Sequence, residues 1–390
     1  MRVAVVAGPD PGHAFPALAL SLKLKAAGDE VTLLTGAEWL EPARAAGLAA
    51  VELAGLDATD ADDDADAGAK LHQRAARMAV LNVPRLGELD PELVVSDVIT
   101  VCGGLAAELL GVPWVELNPH PLYQPSRGLP PLGSGLAPGI GVRGRLRDAA
   151  MRSLTARSVR IGQRNRAAVR VDIGLPAADP GPVRRLIATL PALEVPRPDW
   201  PAEAVVVGPL HFEPTSAVLD VPPGEGPLIV VAPSTATTGT RGLAELALDV
   251  LRPGSTLPAG ARVVVSRLGG SELTVPPWAT VGLGRQDELL ARADLAICGS
   301  GHGIVAKALL AGVAMVVVPG GGDQWEIANR VARQGSAVLI RPLTAEALVA
   351  AAGEVLASPS YRSAARRAGA TIADVADPVR VCHEALDVSA

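Results

Sequence analysis

The chain has 390 residues, of which 49% are hydrophobic and only 2% aromatic, and its formal net charge is −6. This length is sufficient for two domains, whose cores must be built mainly from alanine, valine and leucine. The acidic balance gives no reason to expect a nucleic-acid partner, and no apolar run reaches the roughly 18 residues of a membrane span. The cysteines are odd in number and far apart, which argues against a disulfide framework or a zinc cluster and predicts a cytoplasmic location.

Strand and helix patterns alternate along the first half of the chain, which predicts a parallel sheet with helices on both faces. The first apolar stretch is too short for a signal peptide and is interpreted as a strand. An acidic, alanine-rich run at 57–67 predicts a surface loop, and the proline- and glycine-rich 119–145 predicts a long functional loop. Strands are predicted at 2–7, 30–34, 93–96 and 114–117, and helices at 15–27, 37–46, 103–110 and 145–173.

Prolines cluster around 191–226, after which the alternation restarts, so an interdomain linker is predicted there. Strands are then predicted at 228–232, 262–266, 295–298 and 337–340, and helices at 242–251, 287–291, 304–311, 325–334, 344–356, 360–375 and 378–388. We therefore predict two Rossmann-like α/β domains facing each other across a cleft. The N-terminal domain is placed at 1–205, the linker at 206–226, the C-terminal domain at 227–375 and a final helix within 376–390.

Two titratable residues follow strands of the first half, where ligands gather in open α/β sheets. His13, in GPDPGHAFP, is a candidate general base because its pKa lies near neutral pH, or it could cap the helix that follows. Asp97 could orient and stabilise a protonated imidazole, or cap a turn or helix. The loop lacks G-x-G-x-x-G and the second strand ends without an acid, which disfavours an NAD enzyme.

Residues 293–335 read ADLAICGSGHGIVAKALLAGVAMVVVPGGGDQWEIANRVARQG and predict a strand–loop–helix–strand–loop–helix unit. The turn at 299–303 opens a helix, where free N–H groups and the helix dipole suit a diphosphate; a plain β–α turn is the alternative. The second loop ends in Asp323 and Gln324, which could hold sugar hydroxyls, although Asp323 could also cap the next helix. Both loops follow strands of one sheet, which predicts a site for a nucleotide-activated sugar.

Taken in order, these features resemble the two-domain GT-B glycosyltransferases of family 1, most closely the bacterial antibiotic and macrolide branch. The family's opening, with G-H-x-x-P and G-H-E-V-T elements, is similar to GHAFPALALSLKLKAAGDEVTLLTG. Its strand–Asp–helix segment is similar to PELVVSDVITVCGGLAAELLGVPWV, and its linker to VVVGPL. Its signature motif is similar to LAICGSGHGIVAKALLAGVAMVVVPGGGDQWEIANRVARQG. The resemblance covers nearly the whole chain.

The resemblance implies that His13 deprotonates the acceptor hydroxyl and that Asp97 orients it. It implies an inverting, metal-independent hexosyl transfer from a UDP- or dTDP-sugar, used as a co-substrate without a cofactor, to a small hydrophobic acceptor. The acceptor is expected under the loops at 57–80 and 119–145, and the last helix is expected to cross back onto the N-terminal domain. The residues implied to bind the donor are Ser234, Leu283, Ser300, Gly301, His302, Gly303, Asp323 and Gln324.

The donor motif departs from the family pattern at four positions. Gly299 stands where the family has a histidine in H-G-G-x-G-T, and Ile304 replaces its Thr or Ser. Leu283 replaces the residue that stacks on the base, often Trp, and Ile327 replaces an Asn. Each change removes a polar or stacking contact to the donor, so we expect His302 to take over part of the phosphate contact.

Two other functions fit the same fold. A binding or accessory protein would have lost turnover through the donor-site changes, but the retention of His13 with Asp97 favours an active enzyme. A nucleotide-sugar epimerase would need more acidic residues in the cleft. Lys307 is interpreted as a helix residue that faces solvent or packs by its stem.

Overall fold

The computed structural model describes residues 1–57, 67–252, 260–269 and 273–387, with side chains from residue 71 onward in the second of these ranges. Most of the predicted acidic loop at 57–67 therefore lies outside the described residues. Two sheets are present, and their strands pair in parallel throughout. The α/β fold predicted from the alternating patterns is thus confirmed.

The first sheet has seven strands in the order β3-β2-β1-β4-β5-β6-β7. Its central strands are buried runs of Val, Leu and Ala, as expected when helices cover both faces of a parallel sheet. The elements are β1 (Arg2–Val6), α1 (Pro11–Ala26), β2 (Glu30–Thr35), α2 (Leu40–Ala45), β3 (Ala49–Glu52), α3 (Ala67–Leu89), β4 (Leu93–Asp97), α4 (Cys102–Leu110), β5 (Trp114–Asn118), α5 (Gly141–Asp172), β6 (Arg184–Ile187) and β7 (Ala204–Val206).

The second sheet has six strands in the order β10-β9-β8-β11-β12-β13. Its buried core is again aliphatic and lies on both faces of the sheet. The elements are β8 (Leu228–Ala232), α6 (Leu243–Val250), β9 (Arg262–Ser266), β10 (Ala279–Gly282), α7 (Gln286–Leu290), β11 (Leu295–Cys298), α8 (His302–Leu310), β12 (Met315–Val317), α9 (Asp323–Gln334), β13 (Ala337–Leu339), α10 (Ala345–Ala357), α11 (Pro359–Ala370) and α12 (Pro378–Asp387).

Several elements differ from the sequence prediction. Helix α1 begins at Pro11, four residues before the predicted start, because proline is well tolerated in the first turn of a helix. Helix α5 begins at Gly141, inside the predicted loop. Four strands and one helix were not predicted at all: β3, β6, β7, β10 and α3.

The last helix, α12, packs on the first sheet and not on the second. Val381, Cys382 and Ala385 are buried in the same hydrophobic core as the strands β1, β4 and β5. His383 adds a polar link, with its Nε2 2.9 Å from Oδ2 of Asp29. The chain therefore returns to its first domain after completing the second.

The two domains also meet directly at the cleft. Helix α9 contacts the loop after β5, where the main-chain N–H of Gly135 donates to Glu326 Oε1 at 2.9 Å and Arg333 donates to the Gly135 carbonyl at 2.6 Å. Within the described ranges, none of the helices has the length and apolarity needed to cross a bilayer.

Candidate active site

A cavity of about 380 Å³ lies in the cleft, where the carboxyl ends of strands from both sheets face each other. This is the position at which open α/β sheets bind their ligands. Of the residues predicted from the sequence, the cavity brings together His13, Ser234, Leu283, Gly301, His302, Gly303, Asp323 and Gln324.

His13 and Asp97 form a hydrogen-bonded pair at the N-terminal side of this cavity. His13 is the third residue of α1, in the first turn of the helix and not ahead of it as the sequence suggested. Its Nδ1 lies 2.7 Å from Oδ1 of Asp97, whose side chain is fully buried at the end of β4. With Nδ1 engaged, Nε2 has no hydrogen-bond partner among the described residues and is the nitrogen available to a ligand.

Asp97 fulfils both roles considered from the sequence. One oxygen accepts from His13, while Oδ2 accepts from the main-chain N–H of Ile99 at 3.2 Å and of Thr100 at 3.1 Å. The Thr100 hydroxyl donates to the same oxygen at 3.0 Å. These hydrogen bonds hold the Asp97 carboxylate in place, and the carboxylate orients the imidazole of His13.

The surroundings of His13 favour its protonated form. Burial opposes the charge, but the negative charge of Asp97 and its hydrogen bond outweigh that cost and raise the pKa of His13 above 6.5. Asp10 and Asp323 add to the same effect. An imidazole in this position can accept a proton and hold it against a fixed carboxylate.

Three further histidines line the cavity, and burial lowers the pKa of each, so they are neutral at physiological pH. His302 was predicted from the sequence, whereas His120 and His211 were not. The His120 ring centroid lies 6.1 Å from that of His13. His211 has a pKa lowered to about 3 and a buried Nε2 without a partner among the described residues. His120 follows β5 and His211 follows β7. A position after a strand is the sequence signal that could have pointed to them.

The turn at 299–303 leads into helix α8, as the diphosphate hypothesis requires. His302 is the first residue of α8, and Gly301 precedes it in extended conformation. A Cβ added at Gly301 or Gly303 would meet no protein atom within 4 Å, so the backbone here is open to a ligand. Ser300 differs from its neighbours, because its side chain is fully buried and does not line the cavity.

Packing explains why glycine stands at position 299 instead of the family's histidine. A Cβ at Gly299 would lie 2.8 Å from the main-chain nitrogen of Ser234 and 2.8 Å from its Cβ. A side chain there would force apart the loops that follow β8 and β11. The change is thus coupled to the close approach of these two loops.

The ring of His302 is directed at the N-terminal domain. Its Nε2 lies 2.8 Å from Oγ1 of Thr189, in the segment after β6, and both side chains are buried. The expected contact of His302 with phosphate stays a prediction. The contact between His302 Nε2 and Thr189 instead joins the two domains.

Gln324 forms hydrogen bonds with two loops of the C-terminal domain. Its Nε2 donates to the Ser234 hydroxyl at 2.8 Å, and its Oε1 accepts from the Gly320 N–H at 3.0 Å. Asp323 begins α9 and lines the cavity next to it. Leu283, which is 41% exposed, lines the same cavity.

Lys307 does not face solvent as the sequence analysis suggested. It lines the cavity, and its Nζ donates to Glu213 at 2.6 Å and to Gln286 at 3.1 Å. The ammonium is thus held by an ion pair on the C-terminal side of the cleft. No cluster of three or more metal-ligating side chains occurs in the part of the chain that the structure describes.

Comparisons with known proteins place the chain among glycosyltransferases. A sequence profile of the family "UDP-glucoronosyl and UDP-glucosyl transferase" matches residues 290–375. The 4'-demethylrebeccamycin synthase of Lentzea aerocolonigenes is 31% identical over 300 residues, which are 72% of this chain and 70% of that protein.

Solved structures share the fold along the whole chain. The glycosyltransferase SsfS6 of Streptomyces sp. SF2575, complexed with thymidine diphosphate, has a TM-score of 0.68 at 20% identity and covers 98% of this chain and 99% of its own. The glycosyltransferase SnogD of Streptomyces nogalater has a TM-score of 0.73 at 21% identity, with 100% and 99% covered. The chain therefore belongs to the UDP-glucoronosyl and UDP-glucosyl transferase family and is a glycosyltransferase of the GT-B fold.

Proposed function

We propose that this glycosyltransferase moves a hexosyl group from a nucleoside-diphosphate sugar to a hydroxyl of a small hydrophobic acceptor, with inversion and without a metal. The observation that supports the reaction best is the His13–Asp97 pair, at 2.7 Å, on one side of a cavity whose other side carries the glycine turn of α8. A base and an anion-binding turn then face each other across the space that the sugar would occupy.

The proposed step is a single displacement at the anomeric carbon. Nε2 of His13 takes the proton of the acceptor hydroxyl as that oxygen forms its bond to the anomeric carbon. The bond from the anomeric carbon to the diphosphate oxygen breaks on the opposite face, and the nucleoside diphosphate leaves with the bonding electrons. Asp97 stabilises the imidazolium that results, as the buried acid of a catalytic triad does.

The leaving diphosphate would be stabilised by the start of α8. Backbone N–H groups and the helix dipole favour negative charge at a helix N-terminus, and groups fixed before reaction act without a reorganisation cost. Gly301 and Gly303 leave room for the phosphates. Asp323 and Gln324 are then the candidates for the sugar hydroxyls.

The base of the donor is proposed to be uracil or thymine. The family profile is named for UDP-sugar transferases, and one solved structure of the same fold holds thymidine diphosphate. Leu283 would pack against the base as an apolar contact. His211, with its unpartnered Nε2, is a further candidate for a hydrogen bond to the donor.

The first test is calorimetric titration of the protein with UDP, dTDP and GDP, each with and without magnesium. We expect one of the first two to bind in the micromolar range, with an affinity that magnesium leaves unchanged. Failure of all three to bind would contradict the proposal and would favour a non-catalytic binding protein.

His13→Ala separates chemistry from binding. Loss of a general base typically costs roughly 10²- to 10⁴-fold in rate, whereas nucleotide affinity should stay within about twofold, because the proposed diphosphate site lies on the other domain. His383→Ala, a histidine on α12 bonded to Asp29, is the matched control and should retain turnover. Equal rates for His13→Ala and wild type would refute the assignment of the base.

A further inference from the structure

A second cavity, of about 470 Å³, lies beside the active site between the loop after β5, helix α5 and helix α9. It shares no lining residue with the active-site cavity among the described residues. Its volume falls in the range of small-molecule sites. Five arginine side chains line it, Arg152, Arg160, Arg197, Arg330 and Arg333, so we call it the arginine cavity.

The rest of the lining is mostly apolar. Leu132, Leu136 and Val159 are 53%, 37% and 40% exposed. Their apolar side chains are thus open to a ligand or to solvent. Further apolar lining comes from Leu122, Leu129, Val195, Pro125, Pro130, Pro131 and Pro138. A ligand with a hydrophobic body would cover this surface.

The five arginines outnumber the carboxylates whose charge acts on them, which are Glu194, Asp199 and Glu326. None of the five arginines forms an ion pair with a described residue, and Glu326 is the one carboxylate in the described lining. The guanidinium groups donate instead to main-chain carbonyls, for example Arg330 to Leu193 at 2.7 Å and Arg152 to Leu129 at 2.8 Å. Carbonyls orient a guanidinium but leave its positive charge in place.

Buried donors in the same cavity lack partners. Nε of Arg197, Nε of Arg330 and the hydroxyl of Tyr123 are buried and make no hydrogen bond to a described residue. Burial also lowers the pKa of Arg197 and of Arg333. Buried donors are normally satisfied, so unpartnered N–H and O–H donors among cationic side chains favour an anionic ligand.

The arginine cavity is linked to the proposed catalytic base by a row of neighbouring side chains. His120 lies 6.1 Å from His13 and stacks on Tyr123 at 4.5 Å, and the Arg330 guanidinium lies 5.6 Å from the Tyr123 ring. An acceptor with its hydroxyl at His13 would extend past this row to reach the arginines. The two cavities thus lie at opposite ends of one row of side chains.

We propose that the arginine cavity binds the anionic end of an amphipathic acceptor, an apolar molecule that carries a carboxylate or another acidic group. That the anion is the acceptor rests on the proposed transfer reaction, whereas its charge and apolar character follow from the cavity alone. Arginine suits such a role because its planar fork pairs with carboxylate oxygens in a bidentate manner.

Two fluorescent probes with the same carbon framework test the charge preference. Anilinonaphthalene sulfonate carries one negative charge, and phenylnaphthylamine is its uncharged counterpart. We expect the anionic probe to bind wild type about tenfold tighter or more, which corresponds to one charge-assisted contact. Equal affinities for the two probes would overturn the proposal.

Variants locate the binding. Arg160→Gln combined with Arg333→Gln removes two exposed guanidinium groups of the lining, while Arg157→Gln removes an exposed arginine of α5 that does not line the cavity. The double variant should weaken the sulfonate about tenfold and leave the neutral probe within about twofold, whereas Arg157→Gln should change neither. Binding of the neutral probe shows that the cavity is intact in each variant.

Competition distinguishes this proposal from the transfer reaction. Sulfonate binding that survives saturating UDP and dTDP places the anion in the arginine cavity, while displacement by nucleotide would place it in the donor site and overturn the assignment. Nucleotide affinity is measured separately. If the protein binds the sulfonate but no nucleotide, only the proposed transfer reaction is contradicted. If it binds nucleotide but binds both probes equally, only the proposed anion site is contradicted.

Discussion

At the scale of single residues, the active site depends on one carboxylate with two duties. Asp97 accepts from His13 with one oxygen and from three donors of its own turn with the other. A contact with the turn and a contact with His13 were alternatives in the sequence, but a carboxylate has enough lone pairs for both. Asp97 was predictable because it ends a strand, and His13 because it lies where the segment after the first strand enters a helix. His120 and His211 also follow strands, which is the signal that could have pointed to them, but only the packing shows that they reach the same cavity.

The pH profile should report the His13–Asp97 pair. A general base works in its neutral form, and the raised pKa of His13 means that kcat/KM falls as the pH drops through a value above 6.5. Asp97→Asn removes the charge that opposes the burial cost, so this acid limb should move to lower pH while the rate falls roughly 10²-fold or more. The measurement is kcat/KM from pH 5 to pH 9.

Thr100→Val is the matched control for that experiment. It removes the hydroxyl that donates to Asp97 Oδ2 and accepts from the Gly8 N–H, but leaves the contact between His13 and Asp97. It should lower the free energy of unfolding by about 1 kcal/mol or more without moving the acid limb. An acid limb that stays in place in Asp97→Asn would show that another group sets it.

At the scale of elements, the best-predicted strands are those with uninterrupted apolar runs. The observed bounds of β8, β9 and β11 equal the predicted ones, because such strands are buried on both faces. Strand β6 was missed because it carries two arginines. Arg185 pairs with Glu116 on β5 and with Glu203 near β7. The charge of Arg185 is balanced by carboxylates from other segments of the chain. The sequence of β6 alone therefore does not show that this arginine can lie in a strand.

The loops that follow β8 and β11 offer a test of packing at this scale. Gly299→Ala places a methyl group 2.8 Å from Ser234, which should separate the two loops. We expect nucleotide affinity to fall about tenfold or more and stability to fall by about 1–3 kcal/mol, as overpacking usually costs. Nucleotide calorimetry and thermal unfolding measure the two effects.

Gly353→Ala serves as the control for Gly299→Ala. Gly353 lies within α10, and an added Cβ would meet no atom within 4 Å. This substitution should stabilise the protein by about 0.5–1 kcal/mol and leave nucleotide affinity unchanged. If both variants behaved alike, the proposed coupling of the two loops would be wrong.

At the scale of the whole molecule, the cleft is bridged by a buried contact from the glycine-rich turn at 299–303. Thr189 belongs to the segment after β6 of the first sheet, and His302 begins α8 of the second domain. Burial keeps the pKa of His302 well below its usual value, so this is a bond between neutral groups. Any donor that occupies the turn would therefore lie beside a contact between the domains.

Thr189→Val should weaken this bridge. It leaves the buried Nε2 of His302 without a partner, and an unsatisfied buried polar group costs about 1–3 kcal/mol. We expect the free energy of unfolding to fall by that amount in urea denaturation. Thr237→Val, on an exposed loop, should change it by less than about 0.5 kcal/mol. Equal effects would mean that the buried bond contributes nothing.

The return of α12 to the first domain has a consequence for biosynthesis. Val381, Cys382 and Ala385 complete a core whose other members include Val3 and Leu18 near the beginning of the chain. During translation these late residues are made only after the whole second domain. The hydrophobic core of the first domain can therefore be completed only after the second sheet has been synthesised.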